Sequence, residues 1–180
     1  TPVGSWLTRE MGQDDFDLLE ITDDTFTFTK LGGRTRALEV RVVKIESDLF
    51  ELQTDERKPG NMLMKVDSGR GWIILPRDAE GIDCFRRGPL QDRFLGSWRY
   101  FDPAGEGAYR QVEVGQDSFS YTFTDMDGEK SLSGDFYPIL GDGKSQSALF
   151  TYREEDFSKQ SLVEFRPLSG ALLMTLKPKY

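Results

Sequence analysis

The chain runs to 180 residues, 37% of them hydrophobic, with a formal net charge of −8 and no histidine. That acidic balance argues against a nucleic-acid or anionic-membrane surface, since both demand a basic face to neutralise phosphates. The missing imidazole removes the Ser-His-Asp triad, the Cys-His dyad, His-ligated metals and the His proton shuttle, while the single Cys84 excludes an internal disulfide and a zinc finger.

What remains is a globular chain. Thirteen Phe within a 12% aromatic share supply the apolar surface for compact cores. No run approaches the roughly 18 apolar residues of a membrane helix, and no charged and apolar leader precedes Thr1, so no transmembrane segment is expected. The lone thiol fits either redox compartment, with an extracytoplasmic location after loss of a signal slightly favoured. No cofactor is called for.

Gly4-Ser5-Trp6 opens the first predicted strand. Leu19 and Ile21, then Phe26 and Phe28 with Thr25, Thr27 and Thr29 on the other face, carry the period-two signal of half-buried β structure; Asp23-Asp24 makes the turn between them. From Arg36 to Ile45, Leu38, Val40 and Val42 alternate with charged neighbours, as in a strand with one face on a core and one in water. Leu49 to Gln53, Met62 to Val66 and Trp72 to Leu75 follow, making about seven strands in all. The segment from Pro76 to Gln91 lacks alternation and holds Pro76, Gly81, Gly88 and Pro89, so it reads as the connection, with a short helical turn around Ala79 left open.

The scheme then begins again at Gly96-Ser97-Trp98. Leu19 to Thr29 aligns residue by residue with Val112 to Thr122, which points to a tandem duplication with domains at residues 1–88 and 89–180. Its period is nearly twice the roughly 50 residues of the longest solenoid or propeller repeats. Strands are expected over Ser97–Phe101, Tyr109–Val114, Ser118–Thr124, Leu132–Leu140, Ala148–Tyr152, Leu162–Phe165 and Leu172–Leu176. Asp127-Gly128 suits a type I′ hairpin turn, and Pro138 within its strand implies an edge or a bulge. The fold class is therefore all-β: two small antiparallel up-and-down β-barrels or half-barrels in tandem.

A Gly-x-Trp at the start of the first strand, followed by an antiparallel meander, resembles the lipocalin-like (calycin) families. The resemblance implies that Trp6 and Trp98 close a barrel end and that an arginine from a late strand packs across each: Arg70 or Arg77 in the first copy, Arg166 in the second. Strands near 6 residues leave interiors filled by side chains, so a ligand is expected at a barrel mouth or in the groove between copies rather than in a lumen.

Gly4, Trp6, Gly96, Trp98, Phe26, Phe28, Phe119 and Tyr121 are read as structural. Trp72, Trp98, Tyr100 and Tyr109 are the aromatic candidates for ligand contact. Acidic clusters at Asp14-Asp15 with Asp17, at Asp23-Asp24, at Asp125 with Asp127 and at Glu154-Glu155-Asp156 are read as solvated turns, and Asp125–Glu129 lacks the ligand set of a calcium loop. Without a histidine to activate it, Cys84 is read as a buried small side chain. The functional expectation is a non-enzymatic module that binds a protein partner or a small apolar ligand. A carboxylate-based hydrolase or isomerase is the alternative, and a structural envelope or secreted protein the third reading.

Overall fold

The computed structural model describes residues 1–76, 81–101, 109–168 and 171–178. The chain divides into two compact units, Thr1–Arg87 and Gly88–Lys179, and each is all-β and antiparallel.

The first unit is built from β1 (Gly4–Glu10), β2 (Asp17–Ile21), β3 (Thr25–Thr29), β4 (Thr35–Glu39), β5 (Arg41–Lys44), β6 (Leu49–Gln53), β7 (Met62–Asp67), β8 (Arg70–Ile74) and β9 (Gly81–Arg86). They form one nine-stranded sheet in the order β4-β3-β2-β1-β9-β8-β7-β6-β5. Every neighbour is also a neighbour in sequence except β1 and β9, whose pairing joins the two ends of the meander into a nearly closed barrel. The gap falls between β4 and β5. Val40 separates them, and its N–H donates to the Asp24 carbonyl (2.9 Å) rather than continuing a ladder. Arg36 of β4 spans that side with hydrogen bonds to Glu56 and to the Lys58 carbonyl, both 2.8 Å.

Two expectations are corrected here. The stretch from Arg36 to Ile45 is two strands at opposite ends of the sheet, and the segment read as a connection contains β9, the strand that closes it. Of that segment, residues 77–80, including Arg77 and Ala79, lie outside the described residues.

Alternation fills the barrel. Trp6, Leu19, Ile21, Phe26, Leu38, Phe50, Leu52, Met62, Met64, Ile73, Ile82 and Cys84 point inward and pack as one cluster, with Phe28 against it. Each fully buried aliphatic side chain contributes about 1.5–3 kcal/mol of transfer free energy. The opposite face of β1 is also covered, because Leu7 is fully buried where it faces Leu18 and Phe85 across the ladders. Phe16 packs edge-on against Phe85 there, with ring centroids 5.8 Å apart.

The second unit begins with a 3-10 turn (Asp92–Phe94) and continues as a meander: β10 (Gly96–Phe101), β11 (Tyr109–Val114), β12 (Ser118–Asp125), β13 (Gly128–Pro138), β14 (Gln146–Glu154), β15 (Phe157–Leu168) and β16 (Ala171–Pro178). Its core is aromatic: Phe94 stacks on Phe165 at 5.2 Å, and Phe119 meets Phe136 at 5.0 Å and Phe150 at 4.7 Å. Leu90 and Phe94 are held beneath by two glutamine side chains. Gln146 donates to the Pro89 and Ile139 carbonyls and accepts from Gln91 N–H, and Gln116 exchanges two bonds with the Leu90 backbone.

The β12–β13 hairpin pairs Asp125 with Gly128, so its two-residue loop is Met126-Asp127 and not Asp127-Gly128. Pro138 needs no bulge. It ends β13 beyond Asp135, the last residue that β12 reaches, so no ladder bond to β12 is lost where its N–H is missing.

Candidate functional site

Trp6 is fully buried and its indole N–H donates to the Pro2 carbonyl (2.9 Å). The guanidinium of Arg86 lies over the ring, 4.1 Å from its centroid. The same side chain donates to the carbonyls of Val3 (3.0 Å), Thr1 (2.6 Å) and Ser68 (3.3 Å). Burial holds this guanidinium below its ordinary pKa, and the carbonyls and the ring face compensate the charge. Gly4 makes the approach possible: its φ is +142°, and a Cβ there would stand 2.7 Å from the Arg86 Nη1. The arginine across Trp6 is therefore Arg86. Arg70, one of the two expected from sequence, lies over Phe85 instead, at 4.5 Å.

The second unit repeats the local geometry. Trp98 donates its indole N–H to the Phe94 carbonyl (3.0 Å), again four residues back. Ser97 donates to Glu113 as Ser5 does to Glu20. Gly96 takes φ +114°. Trp98 is only half-buried, packed against the edge of the aromatic core. Arg166 pairs instead with Glu164.

On the outside of the first sheet, register places Val43, Glu51, Leu63, Ile74 and Gly81 in one row, and Leu49, Lys65, Trp72 and Asp83 in the next. Leu63 and Ile74 are 36% and 45% exposed, and Ile45, beyond the end of β5 on the same face, is 49% exposed. Trp72 is half-buried because its indole lies flat on Gly81, where a Cβ would come within 2.4 Å of the ring. The result is a solvent-facing strip across β5 to β8 that carries Ile45, Leu49, Leu63, Ile74 and, at its β8 end, the Trp72 indole, with Glu51 and Lys65 set among them. Sequence reasoning singled out Trp72 but missed Ile45, Leu63 and Ile74; the signal was parity, since Ile74 shares the face of Trp72 and opposes that of Ile73.

The barrel mouth beside the β4–β5 gap holds a depression of about 490 Å³ lined by Asp24, Thr25, Glu39, Val40, Arg41, Gln53 and Asp55. Its three carboxylates are exposed. In the second unit a depression of about 340 Å³ lies over Glu113, Gly115, Ser118, Ser120, Ser133 and Gly134. Hydrogen bonds from Ser97 and then Gln111 hold the Glu113 carboxyl below its usual range. Asp14, Asp15, Asp23, Asp24, Asp127, Glu154, Glu155 and Asp156 are all exposed in or beside turns. Asp17 differs, because burial pushes its carboxyl up; it accepts the Leu31 N–H (3.2 Å). Burial also pushes the Cys84 thiol far up, leaving it inert as a nucleophile at neutral pH. Among the described residues no three Cys, Asp or Glu side chains converge as a metal site, and no helix is long and apolar enough to cross a membrane.

Of the aromatic candidates, Trp72 faces outward on the first unit and Trp98 inward on the second; the side chains of Tyr100 and Tyr109 lie outside the described residues. No family model matches the chain, and neither a curated protein nor a solved structure matches it.

Proposed function

We propose that the protein is a non-enzymatic binding module that engages a protein partner through the outer face of the first sheet. The observation that carries this reading is the strip of Ile45, Leu63, Trp72 and Ile74. Leu63 and Ile74 beside the Trp72 indole, with Ile45 farther along the same face, have the composition of an interaction surface in which the aromatic is the anchor. A small apolar ligand is less well supported, because the barrel interior is packed with its own side chains. A carboxylate-based hydrolase finds little support either. Asp17, the carboxyl that burial raises, is spent on a backbone N–H, and the acids at the barrel mouth stand in water.

The two units are also proposed to be lipocalin-like copies of one ancestral domain. Supporting this are the indole–carbonyl bond, the Ser–Glu bond and the positive-φ glycine at both Gly-Ser-Trp motifs.

A photo-reactive phenylalanine at Ile74 should cross-link to a protein in the source organism, whereas the same group at Thr27, on β3 of the same sheet, should not. Equal labelling from both positions, or from neither, contradicts the assignment.

A further inference from the structure

The first three strands of the two units share one register, which makes a difference at their edges informative. Gly4 pairs with Ile21 and Trp6 with Leu19, as Gly96 pairs with Val114 and Trp98 with Val112. Ile21 faces Phe26 as Val114 faces Phe119. Beyond β3 the Val40 N–H reaches the Asp24 carbonyl, as the Phe136 N–H reaches that of Asp117, so β13 takes the places of both β4 and β5. Then the correspondence stops. The other edge of β1 is occupied by β9, with Arg86 directly opposite Trp6. Among the described residues the other edge of β10 has no ladder partner, and the sheet runs openly from β10 to β16.

We infer that the outer edge of β10 is a strand-acceptor site, filled in antiparallel register by an extended segment of a partner polypeptide that places an arginine opposite Trp98.

β1 shows what such an edge binds. β9 alternates Ile82 and Cys84 into the core and ends on Arg86, whose guanidinium covers the indole and occupies the space left by the missing Cβ of Gly4. At β10 the seat is built the same way. The indole N–H is already satisfied, the glycine already has its positive φ, and within 4 Å of a would-be Gly96 Cβ no described atom stands. Trp98 is left half-buried where Trp6 is fully covered. An edge of unpaired N–H and C=O groups gains affinity from main-chain bonds and selectivity from the alternate side-chain positions. The formal charge of −8 favours a basic strand. The inference stands apart from the strip on the first unit and does not depend on it.

The probe is a peptide of residues 81–87 with Cys84→Ser, added in trans to the full chain. NMR should show saturable slowing of amide exchange along β10 and a shift of the Trp98 indole proton. The peptide with Arg86→Gln should bind about tenfold more weakly, the size of a partly desolvated cation–π contact. Four outcomes overturn the inference: no saturable change on β10, equal binding by both peptides, changes confined to β1, or β10 amides already protected before peptide is added, whether in a monomer or in a dimer of the chain.

Discussion

Arg86 sits directly across the β1–β9 ladder from Trp6 and lays its guanidinium on that ring at 4.1 Å. One side chain thereby ties together the closing strand, the buried indole and the backbone at Thr1, Val3 and Ser68. Arg86→Ala removes a cation–π contact worth about 1–2 kcal/mol and leaves carbonyls without their donor. The first unit should lose about 2–3 kcal/mol by chemical denaturation, the sum of the lost ring contact and the unsatisfied carbonyls. Arg86→Lys keeps the charge but not the fork, and should restore less than half of that loss. Full rescue by lysine would mean that charge alone matters at this position.

Gln146 plays the comparable part in the second unit. It is 3% exposed and satisfies three backbone groups, at Pro89, Gln91 and Ile139. Gln146→Ala should cost about 3 kcal/mol, since orphaned buried polar groups carry desolvation penalties of about 1–3 kcal/mol each and part of that is relieved by water entry. Unfolding monitored by Trp98 should register the loss. A change below about 0.5 kcal/mol would show that water replaces the amide without penalty.

Asp17 makes the fold sensitive to pH in a defined direction. In the unfolded chain its carboxyl ionises near 3.8; in the fold burial raises that value, with Glu10 and Asp15 adding to the effect and the Leu31 N–H and Lys30 opposing it. Between the two values the folded state holds the extra proton, so stability falls as pH rises through the window, and the loss persists at neutral pH. Asp17→Asn keeps an acceptor for Leu31 and has no proton to lose. Its Tm should exceed that of the wild type at pH 7, with the gap closing as pH drops below 3.8. A gap that ignores pH would assign the effect to packing.

The strands of both units were legible because their inward positions alternate locally: Phe26 with Phe28, Met62 with Met64, Phe119 with Tyr121. Trp6 as a buried plug was expected from the resemblance of its Gly-x-Trp motif, and its full burial agrees with that expectation. β9 was not legible, since Pro76 and Gly81 interrupt the pattern and only Ile82 and Cys84 alternate within it. Nor was the break at Val40, where an unbroken apolar alternation crosses from one end of the sheet to the other; that is decided by closure at β1 and β9. Arg86 acts through register, Trp6 opposite Arg86, and nothing in its own neighbourhood distinguishes it from Arg87. The strip around Trp72 was half visible. The alternation says that Trp72 and Ile74 share a face, but only the assembled barrel says that this face is the outside.

Native mass spectrometry of the protein isolated from its source tests the binding role most directly, comparing the wild type with Leu63→Ser/Ile74→Ser. Both positions are solvent-facing, so the double variant should fold with a Tm close to that of the wild type. The wild type should carry a polypeptide partner that the variant has lost. A bare wild-type monomer, or a partner held equally well by the variant, would contradict engagement through this face.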